Sequence, residues 1–168
     1  MADSKQPGPS LPEKPNILLI ITDQERAVMH WPEGWAEANL PARTRLMAHG
    51  LTFTNAYCNS ATCSPSRATL LTGRYPAQHG VKTLLQSDRP RSRAQNRLTV
   101  LPGHIPNLAR VLEDAGYHVV YKGKFHLSKP VRYNRWQKRL AWSEADVAHM
   151  ADTYGFHEWN PPDVGDPK

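Results

Sequence analysis

Apolar side chains fall in short blocks along this chain, and each block has the period of one kind of element. Asn16–Thr22 (NILLIIT) is a continuous apolar run of the length expected for a strand buried on both faces of a parallel sheet. It ends on Asp23-Gln24, which puts polar side chains at the carboxyl end of that strand, the edge where ligands bind in open α/β sheets. Pro41–Gly50 (PARTRLMAHG) has a proline start and a glycine stop and predicts a short helix. Leu51–Tyr57 (LTFTNAY) is rich in β-formers and partly alternating, which predicts a second strand or extended segment. Ser64–Gly73 predicts a two-turn helix, with Ser64 as its N-cap, Pro65 at the first position and Gly73 as its stop. Cys63 then sits just before the N-terminus, and Arg67 one turn along.

Further on, apolar residues at 105, 108, 111, 112 and 115 have helical spacing, and Gly116 closes the run. Tyr117–Tyr121 (YHVVY) predicts a strand that runs into Gly123-Lys124-Phe125-His126. Ala141–Tyr154 reads as a helix and Asn160–Lys168 as a loop rich in Pro, Asp and Gly. No internal repeat is visible. Strand, helix, helix, strand in this order predicts α/β layers rather than a bundle or a sandwich.

Composition narrows the setting. The 168 residues suffice for one domain with its own core, and no apolar run approaches the roughly 20 residues that span a bilayer. Residues 1–15 are polar and Pro-rich and read as a flexible leader. They lack the basic and apolar regions of a secretory signal, which predicts a cytoplasmic address and no membrane partner. The two cysteines, Cys58 and Cys63, are too few for a disulfide scaffold, and their C-x4-C spacing with no second pair does not match a zinc site. Cys58 reads as a small buried hydrophobe.

The net charge of +6 is uneven, with clusters at Arg89, Arg91, Arg93 and Arg97 and from Lys122 to Arg139. Such patches steer anions or form solvated faces. No nucleic-acid fold motif accompanies them, so no nucleic-acid partner is expected. His79 and Arg74 read as structural and solvated side chains, and Trp136, Trp142 and Trp159 as packing residues.

The string Cys63-Ser64-Pro65-Ser66-Arg67-Ala68-Thr69-Leu70-Leu71-Thr72-Gly73-Arg74 carries the most specific chemistry. A helix N-terminus favours an anion, and an arginine one turn along adds positive charge and a fork of donors beside the residue at position 63. A helix-cap loop with a buried cysteine would explain Pro65 and Gly73 but not Arg67. The string resembles the signature of the formylglycine-dependent (type I) sulfatases, C-x-P-S-R followed by a hydrophobic stretch and T-G-R.

That resemblance implies several things. The fold would be the N-terminal portion of an alkaline-phosphatase-like domain with a central, mostly parallel or mixed sheet, here over residues 16–168. Cys63 would be oxidised by a formylglycine-generating enzyme, and its hydrated aldehyde would attack the sulfur of a small-molecule sulfate ester. Family members begin with an apolar strand ending in two metal ligands, often Asp-Asp. Asp23 and Gln24 occupy those places and, with residue 63, would hold a divalent cation, Ca²⁺ first and Mg²⁺ or Mn²⁺ as alternatives; both side chains offer oxygen donors.

Gly123-Lys124-Phe125-His126-Leu127 resembles the family segment G-K-W-H-L, with Phe in the Trp place. It implies that Lys124 binds sulfate oxygens and that His126 contacts nucleophile or substrate. Alternation along a strand would turn both toward one pocket. Arg67 and Lys124 would offset charge growing on the sulfuryl oxygens.

Two departures qualify the picture. Gln24 removes one negative charge and keeps a phosphonate or phosphodiester hydrolase of the same superfamily open as an alternative. The family's second metal-ligand pair, Asp followed by Asn or His, has no counterpart here, so the C-terminal half of the domain is expected to be absent and the isolated chain to bind metal poorly. An inactive fragment or basic binding module whose cysteine stays unoxidised is the alternative from another class.

Overall fold

The computed structural model describes residues 13–25, 30–85, 100–128, 133–134, 139–140 and 144–160. The leader before residue 13, the Arg89–Arg97 cluster, Trp136 and Trp142 lie outside the described residues. Helices α1 (Trp35–Asn39), α2 (Pro41–His49), α3 (Cys63–Thr72) and α4 (Pro76–His79) come first, then α5 (Leu108–Asp114) and α6 (Glu144–Tyr154). Strand β1 (Val120–Lys122) pairs in parallel with β4 (Glu158–Asn160), Tyr121 opposite Trp159. Between them β2 (Tyr133–Asn134) and β3 (Arg139–Leu140) form a short antiparallel pair. A parallel pair needs a long crossover, and α6 lies within it. Mixed helix and a small parallel sheet agree with the α/β class.

The helix at 41–49 matches its proline start, and α3 ends where Gly73 permits. Gly73 takes a left-handed φ of 66° while its N–H donates to Thr69 O at 2.8 Å. The start of α3 differs from expectation. Thr62 is the N-cap and Cys63 the first helical residue, because the Ser64 hydroxyl is used elsewhere: it accepts from the N–H of Leu85 at 2.9 Å. Likewise α5 begins only at Leu108, because Asn107 Oδ1 caps it by accepting from the N–H groups of Ala109 and Arg110. Ile105 lies in the turn before it. The strand read at 117–121 is confined to 120–122, and Asn160, read as loop, closes β4.

Asn16–Thr22, expected as a strand, is not one, and Leu51–Tyr57, expected as a strand or an extended segment, is not a strand. Asn16–Thr22 and Leu51–Tyr57 run without any ladder partner among the described residues. Leu18 is 84% and Phe53 74% exposed. A strand buried on both faces needs a neighbour at each edge and a layer on each side. None of the described elements provides these for either segment.

The core lies in the other half. Ala68 and Leu71 of α3 pack with Val81, Leu101, Ile105, Ala109 of α5, Phe125, Leu127, Met150 and Tyr154 of α6, Phe156 and Trp159 of β4. The Phe125 ring sits 5.1 Å from that of Tyr154, 5.4 Å from Tyr121 and 5.7 Å from Phe156. Two polar groups of this core are paired: Tyr154 OH donates to Leu101 O at 2.8 Å, and Trp159 Nε1 to Gly123 O at 3.2 Å. Trp159, read from the sequence as a core or surface packing residue, is in the core.

Candidate active site

α3 carries the signature string from the packed half to an open groove of about 900 Å³. Cys63 stands at its first position, partly buried, and lines the groove together with Thr22, Asp23, Gln24, Cys58 and Arg67. Cys58 is exposed there, not buried as its residue type suggested. The turn through Ser60 and Thr62 presents it to solvent, and none of the described core elements covers that turn.

Arg67 is inside α3, only 7% exposed, and its guanidinium is anchored on three sides. One terminal nitrogen donates to Lys124 O at 2.7 Å and to Tyr121 OH at 3.3 Å, and the other to Asp23 Oδ1 at 3.5 Å. Tyr121 OH itself donates to Lys124 O at 2.7 Å. The Lys124 ammonium meets Asp23 Oδ2 at 2.7 Å. Residues separated by up to 101 positions thus meet at one carboxylate. The hydrogen bond from Lys124 lowers the Asp23 pKa below its usual value of 3.8, with a further electrostatic contribution from Arg67; partial desolvation opposes both.

Tyr121 escaped the sequence reading. Its one signal is its place in the strand leading into Gly123-Lys124, and nothing in that placement says that a phenol will brace an arginine.

His126 goes elsewhere. It is buried, and its Nε2 donates to Leu85 O at 2.8 Å, so Ser64 and His126 grip the same peptide at its N–H and its C=O. The alternation that would turn Lys124 and His126 to one side does not operate, because β1 ends at Lys122 and His126 has a left-handed φ of 59°. The other non-glycine residue with positive φ among the described residues is Gln24, at 58°. Such conformations cost of order 1 kcal/mol or more and persist where the surroundings over-determine them. Both fall on residues that the sequence had singled out.

A second chain of contacts ties the segment before Cys63 to α3. Asn59 Nδ2 donates to Thr69 Oγ1 at 3.0 Å, and the same oxygen faces His79 Nε2 at 3.1 Å. His79 Nδ1 accepts from the N–H of Val81 at 3.1 Å, which assigns the ring proton to Nε2. Burial pushes the His79 pKa below its usual 6.5, so the ring is held neutral, with the backbone contact opposing.

The donor set fits part of a hard-cation shell. Asp23 and Gln24, whose side chains carry oxygen donors, line the groove, whereas Ca²⁺ takes about six to eight oxygen ligands. Among the described residues no group of three or more His, Cys, Asp or Glu is arranged to hold a metal, and both Asp23 oxygens already meet cations.

The sulfatase family model matches residues 15–154 of this chain. N-acetylgalactosamine-6-sulfatase from Homo sapiens is 37% identical over 120 residues, covering 69% of this chain and 22% of that protein. An ulvan-active sulfatase from Formosa agariphila is 29% identical over 158 residues, covering 91% of this chain and 28% of that protein. A solved structure of a putative sulfatase from Bacteroides fragilis aligns with 60% of this chain and 21% of its own, at 30% identity and a TM-score of 0.49. The chain spans about a quarter of the length of the curated relatives it matches. With the family model covering most of its length and the signature string at the groove, the chain belongs to the sulfatase family.

Proposed function

We propose that this chain carries the nucleophile segment and part of the anion-binding site of an enzyme that hydrolyses sulfate esters. The observation that supports it best is the meeting of Arg67 and Lys124 at one carboxylate beside the groove lined by Cys63. Sulfuryl transfer concentrates negative charge on oxygen, and two cations held by the fold before reaction meet that demand without reorganisation. Arg67 is suited to the task because Lys124 O and Tyr121 OH fix its plane, so its fork keeps one orientation.

Cys63 is the precursor of formylglycine, made by a formylglycine-generating enzyme, and the modified residue supplies the hydrated-aldehyde nucleophile. Pro65 has no N–H and the Ser66 N–H is used by Thr62 O, so the start of α3 offers that oxygen the N–H groups of Cys63 and Ser64 and the positive end of the helix. Asp23 and Gln24 contribute oxygens to a divalent cation, Ca²⁺ before Mg²⁺ or Mn²⁺, whose role is to polarise and screen charge at the same groove. The fold that completes the shell is an alkaline-phosphatase-like domain. Sulfate esters are favoured over phosphonate or phosphate diesters by the family match, and Gln24, one charge short of the usual pair, is the feature that makes the second class worth assaying.

The test is the mass of the peptide bearing Cys63 after co-expression with the modifying enzyme. Conversion of thiol to aldehyde at Cys63 with Cys58 unchanged is expected. An unmodified Cys63 in folded, co-expressed protein removes the catalytic assignment.

A further inference from the structure

One phenol joins the two cations beside the groove. Tyr121 is the middle residue of β1, opposite Trp159 of β4, and its ring lies edge-on to Phe156 at 5.0 Å and to Phe125 at 5.4 Å. The ring therefore belongs to the packed half, while its hydroxyl reaches the site. There three groups close a ring of hydrogen bonds. Arg67 Nη1 donates to Tyr121 OH at 3.3 Å and to Lys124 O at 2.7 Å, and Tyr121 OH donates to the same Lys124 O at 2.7 Å. Donors and acceptors balance, since a terminal guanidinium nitrogen has two N–H groups and a carbonyl oxygen two lone pairs. The other guanidinium nitrogen and the Lys124 ammonium are left to face Asp23 at the groove.

We infer that Tyr121 is a positioning residue that sets how Arg67 and Lys124 stand to one another. Its hydroxyl accepts from the guanidinium and donates to the Lys124 carbonyl, so neither group turns without the other. Gly123, with a left-handed φ of 86°, lets the chain turn after β1 so that this carbonyl comes back to the phenol. The consequence for anion binding rests on the proposed function. Without the phenol Arg67 keeps its charge and its bond to Lys124 O, but it loses one of the contacts that hold the plane of its fork. Charge alone attracts an anion, whereas a fixed fork engages its oxygens in one geometry.

Tyr121→Phe in the full chain tests this, because it removes the hydroxyl and leaves a ring against Phe125 and Phe156. In nitrogen NMR spectra, with the Arg67 signals assigned through Arg67→Lys, the wild type should show separate Nη1 and Nη2 resonances, since the held fork cannot rotate. In Tyr121→Phe they should average. Calorimetric titration with inorganic sulfate should show binding weaker by about tenfold in Tyr121→Phe, the size of one hydrogen bond to a charged group. In an Arg67→Lys background the same change should cost less than about twofold, because no fork remains to be oriented. Separate Nη resonances that persist in Tyr121→Phe overturn the positioning role. So does sulfate affinity equal to the wild type, and so do losses from Tyr121→Phe and Arg67→Lys that multiply in the double variant. Sulfate binding that is absent from the wild type, or that survives Lys124→Met in a folded chain, overturns the proposed function instead. The Nη resonances then decide by themselves whether the phenol holds Arg67.

Discussion

Described residues 13–62 and 63–159 of this chain obey different physics. From Cys63 onward, α3, α5, α6 and the β1–β4 pair close around one aromatic cluster, with Phe125 and Tyr154 fully enclosed. Before it, no described residue is buried, although Asn16–Thr22 is among the most apolar stretches of the sequence. The difference is one of neighbours, not of composition. A helix satisfies its backbone within itself and needs one apolar stripe covered, so α3 can pack on nearby chain. An extended segment has unpaired donors and acceptors along both edges and becomes a strand only when other segments are laid beside it. The groove forms at the border: the packed side fixes Cys63 and Arg67, and the unpacked side contributes Asp23 and Gln24.

The contrast can be broken or sharpened by substitution. The largest effect is expected at Phe125→Ala, which should lose about 3–5 kcal/mol of unfolding free energy in denaturant titration, as buried aromatics do. A loss under about 1 kcal/mol would mean that the aromatic cluster is not the core.

Arg67→Lys comes next and has two readouts. On the proposed function, in a longer protein that carries this segment and has a measured formylglycine content, turnover of sulfate esters should fall by about 10²- to 10³-fold, as for loss of one preorganised oxyanion donor. From the sequence alone Arg67 acts on charge and not on stability, which predicts an unchanged melting temperature. The structure revises that expectation. Lys cannot reach Lys124 O, Tyr121 OH and Asp23 together, so stability should also fall by about 1–3 kcal/mol as partly buried acceptors lose their donor. Turnover at the parent rate would confine Arg67 to the maturation signal.

The third effect is on pH dependence. His79 is held neutral, so below its unfolded value of 6.5 the unfolded chain takes up a proton that the folded chain resists. Stability therefore declines as pH falls below 6.5 and levels off beneath the lowered folded value. The decline should be shallower in His79→Gln, read as thermal midpoint against pH. Parallel curves would remove His79 as its source.

Smaller still is Gln24→Gly. Glycine accepts a φ of 58° without penalty, so stability should rise by about 0.5–1 kcal/mol while a candidate oxygen donor disappears. A drop in stability would show that the amide side chain, not the groove, imposes that backbone. The smallest effect is expected at Leu18→Ser, 84% exposed, which should stay within about 0.5 kcal/mol of the parent. A cost of core size there would erase the distinction between the two regions.

Much of the site was legible in the sequence because its parts are local. Cys63 and Arg67 share one helix whose stop at Gly73 is written in the residue type, and Pro41 and Gly50 mark α2 in the same way. Trp159 also agreed with its reading as a packing residue, and the structure puts it in the core. What failed depended on distant partners. Ser64 looked like a cap but its hydroxyl is taken by Leu85, 21 residues on. Cys58 looked like a core residue but is exposed, and none of the described elements covers it. His126 was to share a face with Lys124, until a left-handed backbone turned it to Leu85.

The sequence by itself determined the chemistry available to this protein: the cysteine, the arginine one turn away, the Asp-Gln pair after the first apolar run and the family they point to. Local propensity and side-chain type suffice for these, since each is settled within about a dozen neighbouring positions. Only the tertiary structure decided which of those groups meet. Asp23, Arg67, Tyr121 and Lys124 converge because α3 and the loop after β1 pack on the same aromatic core, and a contact across 101 residues is set by that packing. It also decided that two strand-like segments have no ladder partner among the described residues, because a strand's hydrogen bonds are made with another strand and are not encoded in its own residues.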